Sequence, residues 1–260
     1  AEVLIMECMA VAPELQLTAQ RDMVKGRLNV ITNVRYDHIF EMGSSLDEIA
    51  ESLANTTPAG GALFTADENY YDFFREKCSA VGSEAILCRK GEYAKNENEA
   101  IACALGEYIG IPVCTFAEHA VNYREDFGAH KLYDKNGIKF LNLFSVNDPQ
   151  STKNILEDYF KDTTGVTFIY NNRADRPDRL LLFIKYFFSD IACKKVIVIG
   201  ESRGLVKRML HKQGCQNVGT ALSWRDALDG ADSHSIVGIG NIKGQACDMI
   251  EYFEEEISHE

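Results

Sequence analysis

The stretch Val166–Phe188, VTFIYNNRADRPDRLLLFIKYFF, decides the fold class. Val166–Tyr170 is an apolar, β-branched and aromatic run of strand length, with no alternation of polar residues. It breaks into NNRADR and restarts at Pro177, a residue suited to the first turn of a helix, where its missing N–H costs nothing. The pattern predicts a strand buried on both faces, a polar turn and a helix over Pro177–Phe188. Strands that are apolar throughout belong to parallel sheets covered by helices on both sides.

The same rhythm extends outward. Apolar strands are expected at Phe140–Phe144, Val196–Ile199 and Ile236–Ile239. They alternate with helices at Ser151–Phe160, Leu205–Lys212, Arg225–Leu228 and Gln245–Ile257. Alternation of this kind indicates an α/β architecture. Toward the N-terminus, Val3–Met6 reads as a buried strand, Leu28–Thr32 as a second, and Ala62–Thr65 and Ala85–Cys88 as two more. Ser45 and Glu48 form a capping box ahead of Leu46, Ile49, Ala50 and Leu53 at helical spacing. Further helices are expected over Glu68–Val81 and Glu97–Tyr108. The pattern fails between Thr115 and Gly137, so two α/β units are expected, 1–136 and 137–260.

Composition narrows the function. The 260 residues are 46% hydrophobic and 25% charged, ordinary values for a globular protein. A net charge of -12 argues against non-specific nucleic-acid binding, which relies on a basic surface. The eight cysteines show no CxxC pairing and several sit in apolar settings, which suits reduced thiols better than a disulfide frame or zinc site. The most apolar run, Leu180–Phe188, is too short to span a bilayer. The chain opens with Ala1 and runs straight into VLIM, which predicts that an N-terminal piece precedes it. It carries no GxxxxGK[ST] phosphate loop, so this chain is expected to be inactive alone.

Polar residues collect where the parallel strands end: Ser145, Asn147 and Asp148; Asn171, Asn172, Arg173, Asp175 and Arg176; Glu201 and Arg203; Asn241. Ligands of open parallel sheets bind at the carboxyl ends of strands. Three arginines within NNRADRPDR can grip a carboxylate or phosphate through paired N–H donors. In the first half, VITNVRYDHIFEMG (Val30–Gly43) places Asp37 and His38 beyond a strand, while Glu7 follows Val3–Met6. Carboxylate oxygens suit Mg²⁺; His38 reads equally as a ligand or a general base.

Taken together, ECMAV (Glu7–Val11), TNVRYDHIFEMG (Thr32–Gly43) with LDEIAE (Leu46–Glu51), NDPQST (Asn147–Thr152), NNRADRPDR (Asn171–Arg179) and GIGNIKG (Gly238–Gly244) resemble the ATP-dependent ligase subunit of bacterial poly-γ-glutamate (capsule) synthase, a branch of the Mur ligase superfamily. The resemblance implies the later part of a central ATPase domain, then a Rossmann-like C-terminal domain, with ligation in the cleft between them. It implies that Glu7 and His38 hold magnesium, with Asp37 and Asn33 in the same motif, and that Asn98 contacts adenine. Lys131 stands where an arginine is usual, keeping the charge without the planar fork. Asn147, Asp148, Ser151, Asn172, Arg173, Asp175, Arg176, Arg179 and Asn241 belong to blocks that close on nucleotide and substrate.

The chain departs from many Mur ligases at Leu53, which stands near their carbamylated lysine. The cofactors implied are ATP and Mg²⁺, and the substrates are glutamate and the poly-γ-glutamate chain. The implied partners are integral-membrane subunits, which would hold a cytoplasmic protein at the inner face of the membrane; homo-oligomerisation stays open. Two rivals remain. One is a non-catalytic subunit of such a complex. The other is a folylpolyglutamate or cell-wall ligase, against which stand Asn142 and Asn147–Asp148 in place of an Asp…His-Asn-Pro pattern.

Overall fold

The computed structural model describes residues 3–115 and 127–255, and the chain divides into two compact units, Ala1–Arg124 and Glu125–Glu260. In the first, α1 (Pro13–Thr18) continues through a π-helical turn at Ala19–Val24 into β1 (Leu28–Ile31). Next come α2 (Leu46–Ala54), β2 (Ala62–Thr65), α3 (Tyr71–Ala80), β3 (Glu84–Leu87) and α4 (Glu97–Tyr108). The three strands form a parallel sheet with β2 central. All four residues of β2 are buried because its two faces serve two cores. Leu63 packs with Ile49, Ala50 and Phe74, whereas Ala62 and Phe64 pack with Ala100 and Ile101.

Helix starts follow local chemistry. Ser45 and Glu48 close the expected capping box, each side chain accepting from the other's backbone N–H. Helix α3 begins three residues later than expected, because Asp67 Oδ1 accepts from the N–H groups of Asn69 and Tyr70 and holds them in a turn. Val3–Met6 is not a buried strand. Its side chains are 58–84% exposed, and it joins no ladder among the described residues. An apolar run becomes a strand only where another backbone satisfies its N–H and C=O groups.

The second unit is built on a six-stranded sheet. Its elements run β4 (Lys131–Lys135), β5 (Ile138–Asn142), α5 (Pro149–Tyr159), β6 (Thr167–Asn172), α6 (Pro177–Tyr186) and β7 (Lys195–Gly200). They continue through α7 (Arg203–Gln213), β8 (Val218–Thr220), α8 (Trp224–Asp229), β9 (Ser235–Gly240) and α9 (Gln245–Glu254). Strand order is β4-β5-β9-β6-β7-β8, parallel except for β4. The expected division near Asn136 falls inside the β4–β5 hairpin, where Asn136 and Gly137 both take positive φ, as a tight two-residue turn requires. Residues 116–126 of the expected linker lie outside the described residues, as does the end of the helix expected to reach Ile257.

Alternate residues of the strands divide between two cores. Phe168, Tyr170, Val196 and Val198 face α6 and α7; Ile169, Ile197 and Ile236 face α8 and α9. The helices that follow β6 and β9 therefore cover opposite faces of neighbouring strands. That is the topological switch point where such sheets open a ligand crevice. Among the described residues no helix is long and apolar enough to cross a membrane.

Candidate active site

The crevice at the switch point is a cleft of about 660 Å³ whose lining includes Asn171, Asn172, Arg173, Asp175, Glu201 and Lys243. Strand β6 runs two residues further than its apolar stretch suggests, because the backbones of Asn171 and Asn172 continue the ladder against Ile199 and Gly200. Both asparagines are 2% exposed, so their amides need internal partners. Asn171 Nδ2 donates to the carbonyls of Asn241 (2.6 Å) and Lys243 (2.8 Å). Asn241 answers with Nδ2 to the carbonyl of Asn171 at 3.2 Å. Beneath them, buried Arg179 donates from Nη1 to Asn241 Oδ1 at 3.1 Å and to the Gly240 carbonyl. Asn171, Arg179 and Asn241 thus hold the β9–α9 loop in place and shape the cleft wall.

Asn172 differs. Its Nδ2 donates to the Glu201 carbonyl at 2.9 Å, but its buried Oδ1 has no partner among the described residues. Arg173 is braced by Asp175 through two hydrogen bonds, Nε to Oδ1 at 2.9 Å and Nη2 to Oδ2. This guanidinium holds the Asp175 carboxyl below its ordinary range. Glu201 accepts from the Ala174 N–H at 2.6 Å and fixes the turn after β6. Two glycines permit this crowding. At Gly200 (φ +80°) a Cβ would lie 2.3 Å from the Asn172 carbonyl oxygen; at Gly240 (φ +103°) one would lie 2.6 Å from that of Asn171.

The other candidates of this unit stand apart from the cleft lining. Asp148 is the N-cap of α5, accepting from the Ser151 N–H at 2.8 Å; Asn147 beside it is exposed. Arg176 is the half-buried N-cap residue of α6. Lys131 lies on β4 with its ammonium 5.3 Å from the Tyr133 ring centre. Asn142 is wholly buried and donates to the carbonyls of Gly128 and Ala129.

In the first unit, His38 takes a left-handed backbone conformation, φ 48°, uncommon for a residue with a Cβ and frequent at functional turns. Asp37 Oδ1 accepts from the His38 N–H at 2.9 Å, and Asp37 Oδ2 lies 3.8 Å from His38 Nε2. Both side chains are about one-quarter exposed (27% and 26%). Glu7 is exposed on the irregular segment before α1, and Asn98 is exposed in the first turn of α4. Asn33 Nδ2 reaches Glu97 Oε2 at 3.4 Å.

A second cleft of about 300 Å³ lies at the carboxyl ends of β2 and β3, its lining including Arg35, Asp67, Asn69, Arg89, Lys90 and Glu97. Asp67 ties two strand ends together by accepting from the Val34 N–H at 2.8 Å. None of these residues was singled out from sequence as a site residue. The signal for Asp67 was present, since it closes an apolar strand on its carboxyl side. Lys243 sits in the quoted GIGNIKG block without having been assigned a role.

Comparison with solved structures defines the class. The chain superposes on MurF from Acinetobacter baumannii with a TM-score of 0.64, at 11% identity and covering 92% of this chain and 62% of that one. It matches a bifunctional folylpolyglutamate synthase/dihydrofolate synthase from Yersinia pestis, described as complexed with AMPPNP and Mn ion, with a TM-score of 0.65, 12% identity, and 88% and 62% coverage. The fold is that of the Mur ligase and folylpolyglutamate synthase group.

Sequence comparison narrows this class. Residues 129–256 match the family described as the poly-gamma-glutamate synthase CapB C-terminal domain. Capsule biosynthesis protein CapB of Bacillus anthracis is 31% identical, with 98% of this chain and 61% of the relative covered. PGA synthase CapB of Bacillus subtilis (strain 168) is 30% identical, with 98% and 72% covered. The chain belongs to the CapB poly-γ-glutamate synthase family, and it spans 61% and 72% of the lengths of these two relatives.

Proposed function

We propose that the chain takes part in ATP-dependent amide ligation, which extends poly-γ-glutamate by one glutamate through an acyl phosphate. The observation that carries this reading is the cleft at the ends of β6, β7 and β9. There a buried acceptor without a partner, Asn172 Oδ1, stands beside the cations Arg173 and Lys243. A ligand offering an N–H donor and a negative charge together would satisfy both, and an amino acid is such a ligand. A buried polar atom left unpaired costs about 1–3 kcal/mol, so a donor that reaches it gains that much in recognition.

In the proposed reaction a terminal carboxylate of the polymer attacks the γ-phosphorus of ATP and ADP leaves. The amine of the incoming glutamate then attacks the acyl carbon, forming the amide and releasing phosphate and a proton. Phosphorylation supplies the leaving group that a carboxylate lacks. Arg173, braced by Asp175, presents a fixed positive charge toward anionic substrate. Arg179, Asn171 and Asn241 act as positioning residues through the loop they hold. Lys131 offers a point charge on β4, and Arg176 a second guanidinium at the start of α6. Asp148 and Ser151 set the first turn of α5 beside exposed Asn147, and Asn98 presents its amide to the adenine.

A divalent cation fits the donor set of the first unit, where a half-buried carboxylate and imidazole stand on adjacent residues. Asp37, His38 and Glu7 would hold Mg²⁺, and Asn33 would steady the loop. The metal supplies charge neutralisation at the transferring phosphoryl group. The solved relative complexed with AMPPNP and Mn ion supports ATP and a divalent cation.

The test is phosphate release from Mg-ATP that depends on both glutamate and a polyglutamate acceptor. His38→Ala is expected to lower it at least about tenfold. An unchanged rate in that variant would overturn the assignment.

A further inference from the structure

Helix α7, RGLVKRMLHKQ, carries Arg203, Lys207, Arg208 and Lys212 and no acidic residue, in a chain with 39 acids and 27 lysines and arginines. On other helices of this acidic protein three cations pair with carboxylates: Arg75 with Asp72, Lys77 with Glu51 and Lys153 with Asp190. Among the described residues Lys207, Arg208 and Lys212 pair with none. Arg208 and Lys212 are exposed, and Lys207 is half-buried. At 3.6 residues per turn the four cations spread over about half of the helix circumference, and the group begins at the cleft. Arg203 Nη1 donates to the carbonyl of Gly200, a cleft residue, at 2.6 Å. From Arg203 to Lys212 the cations cover about 13 Å of helix axis.

We infer that this face holds a polycarboxylate, namely the poly-γ-glutamate chain beyond its reacting end; this rests on the function proposed above. Each γ-linked glutamyl residue keeps one free α-carboxylate, so the polymer presents repeated anions to a cluster of cations without carboxylate partners. Surface electrostatics of this kind concentrates an anionic partner and speeds its encounter. An anionic membrane is the weaker occupant. A helix that lies on lipid needs a free apolar face, and here Val206 and Leu210 are fully buried in the core, which leaves exposed Leu205 as a single apolar side chain and not a face. Of the acids nearby, Glu201 is engaged by the Ala174 N–H.

The test uses the full chain and a fluorescein-labelled γ-linked glutamate polymer of about twenty residues, followed by anisotropy at low and physiological salt. The polymer is expected to bind at least tenfold tighter than γ-glutamyl-glutamate and to weaken as salt rises. The triple change Lys207→Gln, Arg208→Gln, Lys212→Gln is expected to remove most of that gain while the melting temperature holds. A charge-swapped control, Lys153→Glu on α5, should leave polymer binding intact. Equal binding by wild type and the triple variant overturns the inference, as does tighter binding to anionic phosphatidylglycerol vesicles than to the polymer. Polymer binding through α7 without any glutamate-dependent phosphate release would sustain this surface and sink the ligase reading instead.

Discussion

Replacing Gly200 by alanine and, separately, Gly204 by alanine sets one chemical change in opposite surroundings four residues apart. At Gly200 the new methyl would lie 2.3 Å from the carbonyl oxygen of Asn172 and 2.6 Å from Asn171 Oδ1, with the backbone at φ +80°. The left-handed conformation costs a residue with a Cβ about 1–2 kcal/mol. Forcing a methyl into packed surroundings adds about 1–3 kcal/mol. The neighbour that must yield is backbone held in the last pair of the β6–β7 ladder, so relaxation is limited. A total of about 2–5 kcal/mol follows, enough to lower the melting temperature by roughly 10 °C.

At Gly204 a Cβ meets nothing within 4 Å, and the residue lies in the first turn of α7. There alanine restricts only the unfolded chain and should stabilise by about 0.4–1 kcal/mol. Thermal and urea unfolding followed by circular dichroism would measure both. A Gly200→Ala protein as stable as wild type would refute the close approach of β7 to the end of β6, and with it the shape of the cleft.

Other consequences concern both units. His38→Gly relieves a positive φ and should raise stability by about 1 kcal/mol while losing activity, which unfolding and phosphate-release assays together would show. Asp67→Ala strips the acceptor from the buried Val34 N–H and should lower stability by about 1–3 kcal/mol in urea titration; a smaller change would mean that another group takes its place. Burial, aided by its hydrogen bond to Asp47, pushes the Tyr70 hydroxyl up to about 12. Its folded value is raised, so its contribution to stability is present below pH 10 and is lost as pH climbs from 10 through 12. Absorbance titration at 295 nm should lose a component near pH 12 in Tyr70→Phe, while buried Tyr170 titrates later still. Burial likewise pushes the Cys88 and Cys193 thiols up to about 11, so native alkylation at pH 8 should mark exposed Cys8 and Cys114 first; early labelling of Cys88, read by mass spectrometry, would contradict its burial.

Much of the fold is written in local pattern. The period of apolar residues separated strands from helices across both units, Ser45 with Glu48 announced α2, and Pro177 marked the start of α6. These signals act within a few residues, through backbone sterics and capping hydrogen bonds, and they operate in any tertiary setting. The polar strand ends were legible for the same reason, since an apolar run that meets asparagine and arginine changes character at a definite residue.

Other features depend on partners far along the chain. Lys131–Lys135 has little strand character of its own and becomes β4 because Ile138–Asn142 folds back on it. Val3–Met6 has strong strand character and stays exposed, joining no ladder among the described residues. No local pattern places β9 between β5 and β6, yet that insertion opens the cleft. Asn171 and Asn241 interlock across 70 residues of chain, so what looked like two ligand contacts became one wall. By itself the sequence determined most of the strands and helices and where their polar ends fall. Only the tertiary structure decided which polar groups satisfy each other and which, like Asn172 Oδ1, are left without a partner among the described residues, because hydrogen-bond partnership belongs to pairs of residues and not to either one alone.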